Sequence, residues 1–258
     1  MIPDPAKYRK LISETMSAMR VSNATENARD VLLKAITDNE TTNRLILSNA
    51  DFFATAKVSV QNGLIYPQAS ERMGFVSQIF HNDQLELFMA MRNPATFLPA
   101  IFQQSPLDGL IDFTAGIDLH KLRWSETLSR IRDAVPDVKM TVWCNEDAPL
   151  IWPQVLRHIL GVENAWKITG GLDLLQDIIQ PEGMNRLRAY LDKHPDISED
   201  QLQQVMAVFL EKFAIDAAIE EELTMPGWTD ALVSEMTAIY EEDVFVVESI
   251  PGVHFIAP

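Results

Sequence analysis

The sequence predicts an α/β fold: a parallel sheet with flanking helices, followed by a helical C-terminal part. Three observations carry this prediction. Short apolar runs alternate with helical periods between residues 44 and 160, the rhythm that right-handed crossovers fold into a parallel sheet. The run at 85–91 passes directly into Arg92-Asn93-Pro94, where Asn is a good N-cap and Pro a favoured first helical residue. From Gly170-Gly171 onward no long strand signal returns until the tail.

In chain order, helical spacing covers 6–20, and a second helix is opened by Ser22 or Asn23 as N-cap, with Ala28, Leu32, Ala35 and Ile36 at helical spacing. Arg44-Leu45-Ile46-Leu47-Ser48 is a short apolar run bounded by Asn43 and Asn49, the form of a buried strand. Residues 54–68 read as loop. A helix over 70–80 sets Met73, Val76, Ile79 and Phe80 on one face. The strand at 85–91 feeds a helix over 94–104. A helix over 119–134 is ended by Pro136, a strand at 138–144 runs into Asn145-Glu146-Asp147, and a helix follows over 149–160. Ser198-Glu199-Asp200-Gln201 has the form of a capping box and opens a helix through Val205, Val208, Phe209 and Phe213. A last long helix spans 229–243, and Val253-His254-Phe255-Ile256 is an apolar close. The predicted organisation is N-terminal helices at 1–39, an α/β core at 40–169, and a helical part at 170–258 packed on the core.

Composition narrows the function classes. With 21 Lys and Arg against 37 Asp and Glu the formal charge is −16, which repels a phosphate backbone, and no basic run offsets it; nucleic acid is not an expected partner. A single cysteine, Cys144, excludes an intrachain disulfide framework and a multi-cysteine zinc site. No stretch approaches the about 18 apolar residues of a membrane span, and the first residues carry no apolar signal core, so a cytoplasmic protein is expected.

In an open parallel sheet, ligands bind beyond the carboxyl ends of the strands. The residues there are Ser48, Asn49 and Asp51; Arg92 and Asn93; and Asn145, Glu146 and Asp147. Arg92 is the most informative, because a guanidinium beside the N-terminus of the Pro94 helix favours an anion, phosphate above all. The alternative is an ion pair from Arg92 to Asp51, Glu146 or Asp147. His81, His120, His158, His194 and His254 show no zinc-ligand spacing, so no metal is expected. Cys144 reads as a buried thiol rather than a nucleophile. Glu220-Glu221-Glu222 reads as a solvated helix face, and Trp124, Trp143, Trp152, Trp166 and Trp228 as packing residues.

The succession Arg44-Leu-Ile-Leu-Ser-Asn49, then Phe88-Met-Ala-Met-Arg92-Asn93-Pro94-Ala-Thr-Phe-Leu98, then Ile151-Trp-Pro-Gln-Val-Leu156 before Gly161 resembles bacterial sulfotransferase-like proteins of the P-loop superfamily. Tyr240-Glu-Glu-Asp243 with Ile250-Pro-Gly-Val-His-Phe-Ile-Ala-Pro258 is similar to the end of the same proteins. The resemblance covers most of 40–258. It implies a three-layer α/β fold that binds the sulfuryl donor 3′-phosphoadenylyl sulfate, with an arginine in the setting of Arg92 on the donor's 3′-phosphate. A serine two helical turns later shares that task in the family; Ala100 stands at that position here, and Ser105 lies farther along. The candidate donor-binding residues are therefore Arg92, Asn93, Ser48, Asn49 and Ser105.

The family's phosphate-cradling loop, G-x-x-K-[ST]-G-[TS]-[TS], supplies the backbone N–H groups and lysine that stabilise charge during transfer. The sequence holds no such loop; its start lies upstream or it has been lost. The expectation is a sulfotransferase-like protein, inactive as it stands, with a partial 3′-phosphonucleotide site. Two alternatives are a non-catalytic binding or interaction protein on the same fold, and an unrelated α/β nucleotide-sugar transferase in which Glu146 or Asp147 handles a metal.

Overall fold

The computed structural model describes residues 3–22, 27–37, 42–104, 114, 116–163, 168–219 and 225–258. Asn23, Ser105, Trp166 and Glu220 to Glu222 lie outside them.

The chain opens with α1, Pro5–Met19, where Asp4 accepts the Ala6 N–H as N-cap and Pro5 fills the first helical position. Tyr8, Ile12, Met16 and Met19 form its buried stripe. Helix α2, Ala28–Ile36, starts later than Ser22 or Asn23 would place it: Asn27 is its N-cap, and the Ser22 hydroxyl donates to the Ala18 carbonyl at the end of α1. Leu32 and Ile36 of α2 join the α1 stripe in one cluster with Ile79 and Phe80.

Residues 44–49 correct the first strand expectation, for they run without a ladder. Both backbone groups of Ser48 are taken by the Tyr8 hydroxyl at 2.7 Å, and its carbonyl also accepts from Arg9 Nε at 2.9 Å. Arg44 is anchored to the Ile159 carbonyl at 2.9 Å and to Glu86. At Ser48, side chains thus satisfy the backbone groups that a strand neighbour would have used.

The segment read as loop contains a hairpin, β1 Val60–Gln61 with β2 Leu64–Ile65. Asn62 and Gly63 both have positive φ, 54° and 77°, the combination a type I′ turn requires and an Asn-Gly pair supplies. Helix α3, Ala69–Ile79, follows.

The sheet consists of β3 Glu86–Met91, β4 Lys139–Cys144 and β5 Val253–Ile256, parallel, in the order β3-β4-β5. Two expected strands are therefore neighbours, and the C-terminal segment takes the third place. The register sets Met89 beside Val142 and Val142 beside Phe255 on one face, and Ala90 beside Trp143 and Trp143 beside Ile256 on the other. Because side chains alternate, each face meets its own layer. The first packs on α4 Pro94–Gln103 and α5 Trp124–Ala134, in a cluster with Leu98, Leu128 and Ile131. The second packs on α6 Ala148–Leu160, through Ile151 and Val155. Coverage on both faces explains why these strands read as continuous apolar runs. Helix α6 ends at Gly161, φ 65°, in the left-handed conformation that glycine adopts without strain.

The C-terminal part is helical, as expected: α7 Asp173–Ile178, α8 Pro181–Lys193, α9 Glu199–Phe213, α10 Asp216–Ile219 and α11 Asp230–Glu248. The capping box is present, with Ser198 on the Gln201 N–H and the Gln201 side chain on the Ser198 N–H. Leu175, Ile179, Met184, Leu187 and Met206 make a separate core there. Helix α11 instead returns to the sheet layer, burying Met236, Tyr240 and Val247 in the cluster of β3 and β4. Among the described residues no helix is long and apolar enough to cross a membrane.

Candidate functional site

The ends of β3 and β4 converge with one face of α11. Strand β3 delivers Arg92 and Asn93; β4 delivers Cys144 and a single tight turn, Asn145–Asp147; α11 contributes Thr237, Tyr240 and Asp243, spaced three residues apart and so stacked on one helix face.

Asn93 organises the junction. Its backbone N–H donates to Glu146 Oε1 at 2.7 Å, its side-chain oxygen accepts the Ala95 N–H at 2.9 Å, and its Nδ2 donates to Thr237 Oγ1 at 2.9 Å. Its carbonyl accepts from Thr96 and Phe97, and Pro94 has no N–H. The backbone donors at the start of α4, which the sequence reading left for an anion, are all engaged inside the protein. Glu146 is the anion present: its second oxygen accepts from the Tyr240 hydroxyl at 3.2 Å, and that hydroxyl also lies 3.3 Å from the Met91 carbonyl.

Arg92 is half-buried and braced on the helix that follows it, with Nε donating to Thr96 Oγ1 at 3.0 Å. Its carbonyl accepts from Trp124 Nε1 at 2.8 Å. The Trp124 and Ser125 N–H groups in turn donate to Asp243 Oδ2 at 2.6 and 3.1 Å, and the Ser125 hydroxyl donates to Oδ1. Asp243, 4 % exposed, thus does at the start of α5 what Glu146 does at the start of α4.

The electrostatics follow from burial beside these carboxylates. Tyr240 is held well above the usual tyrosine range, first by burial and then by the Glu146 charge, which opposes a phenolate. Burial pushes the Cys144 thiol up to about 11, with Asp147 and Glu146 adding to the rise. Burial, and then Glu146, also raises Asp147. A thiol in this state is a poor nucleophile, in line with the buried-thiol reading.

Of the sequence candidates, the structure brings Arg92, Asn93 and Glu146 together. Ser48 is engaged with α1, and the Asn49 side chain accepts the Asp51 N–H at 3.1 Å in a local turn. Tyr240, Thr237 and Asp243 were not singled out as site residues. The available signal was Asp243, an acidic residue at helical spacing with Met236, Tyr240 and Val247. Among the described residues no group of three or more His, Cys, Asp or Glu side chains is gathered to hold a metal. An open groove of about 780 Å³ lies elsewhere, between α8 and α9, lined by Tyr190, His194, Val205, Val208 and Phe209. Comparison of the chain with protein-family models, curated proteins and solved structures finds no match.

Proposed function

We propose that the chain is a non-catalytic binding or interaction protein on a sulfotransferase-like α/β framework, in which its own carboxylate holds the seat of the donor's 3′-phosphate. The observation that supports this reading is the pairing of Glu146 with the Asn93 N–H. A phosphate entering there must displace a charge-assisted hydrogen bond of about 1.5–3 kcal/mol, which lowers affinity by roughly 10- to 100-fold. The raised thiol of Cys144 offers no nucleophile in compensation.

A second reading keeps a partial 3′-phosphonucleotide site contacted by Arg92 and Asn93. It is favoured by the placement of Arg92, a guanidinium at the strand end braced by Thr96.

Calorimetry with adenosine 3′,5′-bisphosphate separates the two. Under the first reading the wild type gives no saturable heat. Low-micromolar binding by the wild type, lost in R92A, overturns it and supports the second.

A further inference from the structure

We propose that His158 and His254 form a two-histidine site for a divalent transition-metal ion, zinc above all, bridging α6 to the edge strand β5. The inference is independent of the strand-end reading.

The two rings lie with centroids 4.8 Å apart and planes tilted by 41°. Two imidazoles on one metal at nitrogen distances of about 2.0–2.1 Å, at a tetrahedral or right angle, set their centroids roughly 4.5–5.2 Å apart. The observed separation falls within that range. Among the described residues neither imidazole makes a hydrogen bond, whereas the rings of His81, His120 and His194 are engaged with Asn82, with Asp118 and Glu235, and with the Tyr190 carbonyl. His158 and His254 are both exposed, which gives an ion access.

The surroundings suit a cation. Glu199 of α9 and Glu86 of β3 place negative charge near His158, though each carboxylate is itself paired, with Arg157 and Arg44. Protein ligation is thus by two nitrogens, with water completing the shell. The net charge of −16 draws cations to the surface as a whole.

The test is calorimetry of chelator-treated full chain with zinc chloride at neutral pH, alongside proton spectra of the histidine rings. Expected are one ion per chain with a dissociation constant below about 1 mM, and shifts confined to two of the five histidines. Affinity should fall at least tenfold in both H158Q and H254Q, each of which removes one of the two nitrogen ligands. The absence of saturable binding overturns the proposal. So does binding retained in both variants, or zinc shifts confined to the other histidines of the wild type, a readout that does not depend on either variant folding.

Discussion

Asp243 reaches across 119 residues of sequence to accept the Trp124 backbone N–H at 2.6 Å. Its carboxylate caps α5 from the side of α11, just as Glu146 caps α4 from the turn after β4. Two helix starts that could face an anionic ligand face carboxylates of the chain instead. The helix charge is favourable to both. The same contacts lock α11 over the strand ends, so closure of the site and attachment of the terminal helix are one arrangement.

Removing Asp243 should therefore be costly. D243A leaves two α5 backbone donors and the Ser125 hydroxyl without their acceptor in a site that is 4 % exposed. Unsatisfied buried donors cost about 1–3 kcal/mol each, part of which relaxation recovers, so a loss of about 3 kcal/mol is expected. D243N, which retains one acceptor oxygen, should lose less. Urea unfolding measures both, and a D243A midpoint matching the wild type would contradict the capping role.

Cys144 should behave as a sealed thiol. With its value pushed up to about 11, the thiolate fraction at pH 8 is on the order of 10⁻³, and the side chain is 7 % exposed. Ellman's reagent should label the native protein only as fast as it opens, and should label it promptly in urea. Rapid labelling of the folded protein would place the thiol at the surface.

Legibility from sequence follows the range of the interactions involved. Strands β3 and β4 and the start of α4 are local: an apolar run, then Asn93 as cap, then Pro94. Residues 44–48 carry an equally good apolar run, but Tyr8 and the Ile159 carbonyl, 40 and 115 residues away from their partners Ser48 and Arg44, decide its state. The hairpin was readable at Asn62-Gly63, yet its two-residue strands are too short to show alternation. At the site, Arg92, Asn93 and Glu146 follow strands and could be named. Which groups satisfy Glu146 could not, because Tyr240 meets it only through the packing of a helix almost a hundred residues later in the chain.

Alkaline titration should distinguish the tyrosines. Tyr66 is pushed up to about 12 by burial and then by Asp51, and Tyr240 is held higher still by burial and Glu146. Both values exceed the unfolded value of about 10. The stability they contribute is complete below that pH and is lost as pH rises past it, since the unfolded chain releases the protons first. Ultraviolet absorbance of the folded protein at about pH 10.5 should thus count fewer phenolates than the four tyrosines present, with the rest appearing together with alkaline unfolding. Four tyrosines ionising at ordinary pH while the circular dichroism stays native would refute the buried assignment.

Two helical glycines should respond in opposite directions to the same substitution. Alanine exceeds glycine by about 1 kcal/mol in a helix interior when nothing else intervenes. At Gly74 in α3 nothing lies within 4 Å of where the added Cβ would stand, so G74A should gain about 0.5–1 kcal/mol. At Gly183 in α8 the same atom would stand 2.5 Å from Phe213 Cβ and Cγ. Phe213 has little freedom to withdraw: its ring is stacked on Phe209, Arg186 and Lys212 lie over it, and its carbonyl accepts the Gln180 N–H. Overpacking a well-filled contact costs about 1–3 kcal/mol, which outweighs the propensity gain, so G183A should be less stable by up to about 2 kcal/mol. Thermal unfolding of the two variants under one buffer provides the comparison. A G183A protein as stable as G74A would mean that α8 and α9 do not approach through this glycine.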